Sequence, residues 1–258
     1  MPLPLILAGP ILRRVEPNLV SVWVALRDAA QVKLVLWDGQ IEAPEPDDFS
    51  SWFRSPNPGT PTVRLGERLH VVVVTARLPE EKTLARERLY SYDLEIRTDG
   101  QTSPHTLQSL GLLDNAPANA DPDGNHTKHL ALGYQPGLLP CVVLPPNELT
   151  DLKIVHGSCR NPDTSFPDGL AWVDDLLSAD NTYESAINRP HQLFLTGDQI
   201  YADEVPRPLL KMLHDAIAEL FGATVEQLPL KNPSAPEERI AVPADLLHFP
   251  VGRRGNLI

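Results

Sequence analysis

The sequence predicts a multidomain chain, β first and then α/β, with a β-sandwich over residues 1–148 and the opening part of an α/β layer over 149–258. Three observations predict it. Short apolar runs separated by proline and glycine turns fill the first half. After Thr150 the pattern changes to strand, helix, strand, helix. The two strands of that second part lead into a cysteine and an acid, Cys159 and Asp198.

In the first part, Val20, Val22, Val24 and Leu26 alternate with other residues, and Val32, Leu34 and Leu36 repeat the pattern. A period of two is the signature of a strand with one face inward. His70 to Thr75 is continuously apolar in its middle, which predicts a strand covered on both faces. Tyr90, Tyr92, Leu94 and Ile96 alternate with Ser91, Asp93, Glu95 and Arg97, which predicts a half-buried strand. Turn clusters at Asp38-Gly39, Pro56 to Pro61 and Asp99-Gly100 separate these runs, the spacing expected of a sandwich. Residues 114–127 read as a turn-rich loop, and Leu138 to Pro146 as a closing strand before a linker.

In the second part, Lys153 to Cys159 reads as a strand ending in small residues. Leu170, Val173, Leu176 and Leu177 follow at helical spacing, with Ser165 as cap ahead of Pro167. Leu193 to Thr196 reads as a second buried strand, and Leu209, Leu213, Ile217 and Leu220 as the apolar face of a helix ending near Gly222. Alternation of this kind predicts a βαβ unit with parallel strands.

Composition excludes some functions. A net charge of −12 over 258 residues argues against a broad face for nucleic-acid phosphates, which needs clustered Lys and Arg. No run approaches the ~18 apolar residues of a membrane span, and the N-terminus lacks the basic stretch of a signal peptide. Two cysteines, Cys141 and Cys159, make no disulfide framework. The expectation is a cytoplasmic protein with neither a nucleic-acid nor a membrane partner.

A right-handed βαβ crossover brings the carboxyl ends of its strands to one edge of the sheet, where open α/β folds bind ligands. Cys159 and Asp198 are 39 positions apart, room for one crossover of roughly 30 or more residues. Tyr201 follows Asp198 by three positions, so one turn can aim both oxygens at one point, and Asp203 and Glu204 add negative oxygens nearby. Thiolate, phenolate and carboxylate together repel an anion and suit a highly charged metal ion. A second, harder cation could share the carboxylate, and a cation pair can activate water and neutralise phosphoryl oxygens. Gly197 reads as the residue that permits close backbone approach before the acid.

His156 to Arg160 (HGSCR), followed by Leu193 to Glu204 (LFLTGDQIYADE), resembles the alkaline phosphatase D (PhoD-like) branch of the metallophosphoesterases. The stretch Ala8 to Leu26 resembles the start of that family's fibronectin-III-like N-terminal sandwich. The resemblance implies that the α/β part opens a metallophosphoesterase-type α/β sandwich, with Cys159, Asp198 and Tyr201 as ligands of Fe3+ and Asp198 bridging to Ca2+. Other divalent metals are compatible with the site. It further implies hydrolysis of phosphate mono- or diesters, a phosphate-ester substrate, and no catalytic group beyond the ligands. Ser158-Cys159 stands where the wider superfamily has Asp-x-His, and Tyr201 stands where Gly-Asp-x-x-Asp has its second acid. Both departures are typical of the PhoD-like branch.

The superfamily's later Asn, Asp and His ligands are not found after Asp198. Gly124-Asn125-His126 precedes the Gly-Asp motif and reads as coincidence, and Gly255-Asn256 lacks the histidine. The expectation is a chain holding part of the metal site, inactive alone, with the remainder of the catalytic domain missing from it. Arg160 is a candidate partner for substrate phosphate, with a surface ion pair as the alternative. His156 reads as a core histidine, and His105, His126 and His129 as too weakly placed for zinc. Two further readings stand beside the phosphoesterase. One is a non-catalytic packing or interaction module; the other is a thiol hydrolase with Cys159 as nucleophile and His156 as base.

Overall fold

The computed structural model describes residues 3–44, 50–113, 131–161, 168–178, 184–201 and 205–222. In chain order the strands and helices are β1 (Ile6–Glu16), β2 (Leu19–Leu26), β3 (Ala30–Asp38), β4 (Phe53–Arg54), β5 (Thr60–Pro61), β6 (Val63–Arg64), β7 (His70–Arg77), β8 (Leu89–Thr98), β9 (Cys141–Val143), β10 (Ile154–Gly157), α1 (Gly169–Ser178), β11 (Gln192–Leu195) and α2 (Arg207–Phe221). The chain divides into two compact units, Met1–Arg64 with His70–Glu204, and Leu65–Leu69 with Val205–Ile258. Among the described residues, no helix is long and apolar enough to cross a membrane.

The structure is mostly β. One antiparallel sheet has the order β1-β2-β7-β6, and a second has β4-β3-β8-β9 with β5 also on β3. Val20, Val22, Val24, Leu26, Val72 and Val74 of the first sheet meet Val32, Leu34, Leu36, Leu94 and Ile96 of the second in one core. Most of these side chains are fully buried, each worth about 1.5–3 kcal/mol relative to exposure. That core follows directly from the period-two runs.

Two strands exchange their expected burial. The valine run in β7 is half-buried, with Val71 and Thr75 only partly covered and Val73 49% exposed. Its unbroken valines reflect the liking of β-branched residues for the pleat rather than cover on both sides. By contrast β8 is buried on both faces through Leu94. Its outer face, with Val35 and Trp37 of β3, lies under Leu107, Leu113 and Leu139. Ser91 there donates to Gly39 O (2.9 Å) and accepts from Ile41 N (3.1 Å). Asp93 Oδ1 accepts from Leu94 N (2.7 Å) and Leu107 N (2.9 Å). Burial pushes the Asp93 carboxyl up to about 6, against the pull of those two hydrogen bonds and of Arg54.

The remaining differences also have local causes. β1 is not apparent from the sequence, because its register against β2 shifts at three places and spoils the alternation. The closing strand is present as β9, and Ala186 packs with Leu89 and Val143 beside it. The predicted loop 114–127, with Gly124-Asn125-His126, lies outside the described residues, as do His129, Ser165, Pro167, Asp203, Glu204 and Gly255-Asn256.

In the second unit, α2 ends at Gly222, as expected, in a positive-φ conformation (68°) with its N–H on Ala218 O (3.1 Å). Arg68 N donates to Leu220 O (2.8 Å), and the Arg68 guanidinium pairs with Glu219. A Cβ at Gly66 would fall 2.4 Å from Leu220 O, so this close approach requires glycine.

Candidate metal centre

The strands β10 and β11 are parallel, in the register Ile154↔Gln192 through Gly157↔Leu195. Their pairing continues beyond the strands: Thr196 N donates to Gly157 O (3.1 Å), Cys159 N to Gly197 O (3.0 Å) and Arg160 N to Asp198 O (2.8 Å). This extension fixes Cys159 beside Asp198. The Cys159 thiol donates to Asp198 Oδ2 at 3.3 Å, and Ser158 Oγ lies 3.2 Å from the same sulfur. Hydrogen bonding toward Cys159, then desolvation and the proximity of Cys159 and Asp198, pushes the Tyr201 phenol above its ordinary pKa.

Both candidate donors sit in left-handed backbone, Cys159 at φ 57° and Asp198 at φ 51°. Among the described non-glycine residues only Glu87 shares that conformation. It costs of order 1–3 kcal/mol where the side chain is poorly suited to it, and such residues gather at functional sites. The donor set fits a metal ion. Metal–sulfur and metal–oxygen bonds of about 2.3 and 2.1 Å, at right to tetrahedral angles, separate two donors by about 3.1–3.6 Å. The observed 3.3 Å falls in that interval. Among the described residues no group of three or more His, Cys, Asp and Glu side chains is placed to hold a metal ion.

The surroundings differ from expectation in several ways. β11 is exposed at every position rather than buried, because the described parallel sheet has two strands only. Phe194 is 47% exposed. His156 is exposed too, with Nε2 2.8 Å from Thr196 Oγ1, and it is not a core residue. The thiol of Cys159 thus has a carboxylate partner and not an imidazole. At Gly197 an added Cβ would meet nothing within 4 Å, so crowding does not demand glycine there. What Gly197 supplies is its carbonyl, which accepts from Cys159 N and from Gln199 Nε2 (2.6 Å).

Sequence reasoning missed Asp168. It caps α1, its Oδ1 accepting from Leu170 N (3.0 Å) and its carbonyl from Ala171 N (3.1 Å). It also holds Arg160 by a fork, Nε to Oδ1 and Oδ2 at 3.1 Å each and Nη2 to Oδ2 at 2.5 Å. The Arg160 guanidinium and the Leu170 N–H hold the Asp168 carboxyl down at about 2. An Asp immediately before the helical period was the available signal. A cavity of about 420 Å3 opens beside Cys159, between α1 and the strands.

No protein-family model matches this sequence, and no curated protein matches it either.

Proposed function

We propose that this chain supplies part of a metal-dependent site for hydrolysis of phosphate mono- or diesters, of the PhoD-like kind. The observation that carries the reading is the meeting of Cys159 Sγ and Asp198 Oδ2 at 3.3 Å, just beyond two parallel strands, with Tyr201 three positions further along the chain. Cys159, Asp198 and Tyr201 would hold Fe3+, and Asp198 would also serve Ca2+. When bound, such a pair supplies a deprotonated water and neutralises phosphoryl oxygens. Three donors are too few to saturate two cations, so the remaining ligands come from elsewhere.

The chain's own residues act by placement. The extended parallel pairing holds sulfur and carboxylate against each other in advance, so little ordering remains when a cation arrives. A bound cation would offset the negative charge of the donors and so favour loss of the Tyr201 proton. Arg160 is held in the Asp168 fork, and a substrate phosphate would compete with that carboxylate for it.

Metal uptake by the full chain tests the proposal. Wild type takes up iron and calcium, Cys159→Ala and Tyr201→Phe lose iron, and Asp198→Ala loses both. Equal metal content in wild type and all three variants ends the reading.

A second reading, a module that packs on a partner, is favoured by the apolar surface on β10, β11 and α1, including Trp172 at 67% exposure. A wild-type chain that takes up no metal and self-associates through that surface would favour it.

A further inference from the structure

Resting on the phosphate-ester reading, we propose that the cavity between α1 and β10–β11 receives the alcohol portion of the substrate, which makes the substrate class phosphate esters of uncharged alkyl or aryl alcohols. Position, shape and charge support this. Cys159 lines both the cavity and the candidate metal centre, so a phosphate at the centre directs its ester group into this space. At about 420 Å3 the cavity lies within the range of small-molecule sites, roughly 300–1,000 Å3.

Its wall is divided between an apolar part on the strands and α1 and a polar part that includes His156, Ser158, Arg160, Asn161, Asp168 and Gln199. In a strand alternate residues share a face, so Val155, Leu193 and Leu195 point one way and Ile154, His156 and Phe194 the other. Val155, Leu193 and Leu195 line the cavity, with Leu170 and Val173 of α1 opposite. Leu193 and Leu195 remain 49% and 45% exposed, so an apolar group bound here dries a wall that is otherwise wet. The two charged groups at the polar end, Arg160 and Asp168, bind each other as a fork. A second anionic group on the substrate would meet an Arg160 already engaged, by Asp168 or by the phosphate.

Calorimetric titration of the full chain with calcium present, using n-alkyl phosphates from methyl to octyl and the matching n-alkanols, tests the assignment. Affinity rises about two- to fourfold per methylene in both series until the cavity is filled. The rise is lost in Leu193→Asp on β11 and in Val173→Trp, which fills the space from α1. It persists in Phe194→Ala, on the opposite face of the same strand. Circular dichroism identifies any variant that has lost its fold, and the two cavity variants lie on different elements. A flat series in wild type overturns the assignment, and so does a rise that survives both cavity variants. If the alkanol series rises but methyl phosphate does not bind, the cavity stands and the phosphate-ester reading falls.

Discussion

Two stretches of this chain treat their apolar residues in opposite ways. In the sandwich, Val20, Val22, Leu34, Leu94 and Ile96 have no accessible surface at all. In β10, α1 and β11 there is no buried residue. Both stretches were written with comparable apolar content, and both form the elements their periodicity calls for. The difference lies in the number of layers. Each sandwich sheet has the other against its inner face, whereas the two-stranded parallel sheet faces α1 across a cavity on one side and has an exposed Phe194 on the other. Periodicity decides which element forms, but a second layer decides whether the element's apolar face becomes a core. The backbone geometry around Cys159 and Asp198 therefore depends on strand pairing and its extension, rather than on a packed interior.

The comparison is most open to attack through core truncation. Leu94→Ala is expected to lower the unfolding free energy by about 2–5 kcal/mol. Leu195→Ala in the exposed strand is expected to lower it by less than about 1 kcal/mol. Urea denaturation of both variants measures this, and similar losses would show that the two stretches share one core after all.

A second test lies in the doubly buried strand. Because the folded pKa of Asp93, about 6, is above the ordinary 3.8, the native state binds the proton more tightly than the unfolded chain. Stability from this group is complete below about 3.8 and is lost as pH rises to about 6, a fall of up to about 3 kcal/mol. Asp93→Asn keeps an oxygen for the Leu94 and Leu107 amides and removes that slope. Stability curves of the two proteins that run parallel from pH 4 to 6 would show that Asp93 does not titrate there.

The smallest effect belongs to the exposed faces. Trp172→Gln and Phe194→Gln are expected to change the unfolding free energy by less than about 0.5 kcal/mol each, while reducing binding of a hydrophobic dye. A loss above 2 kcal/mol in either would mean that the side chain is covered in solution.

Much of the architecture was legible because it is local. Alternation located β2, β3 and β8, an unbroken apolar run located β7, and the 3.6-residue period located α1 and α2. The placement of Cys159 and Asp198 followed from chain order alone, since a parallel pair brings the ends of its strands together whatever the side chains are. What failed was non-local. Whether Asp93 or Val73 meets water depends on where Leu107 and Leu139 come to rest, and nothing within either strand records that. The Arg160–Asp168 fork spans eight positions without any period, so spacing could not reveal it.

The left-handed backbone at Cys159 and Asp198 also limits how this corner can drift over generations. Asparagine and glycine can inherit position 198 without distortion, whereas valine, isoleucine or threonine cannot occupy either position without reshaping the turn. Replacement of the sulfur by another donor is likewise steered toward short, unbranched side chains. Relatives that diverge elsewhere should therefore retain a narrow alphabet at these two positions, even those that have abandoned whatever chemistry first selected it.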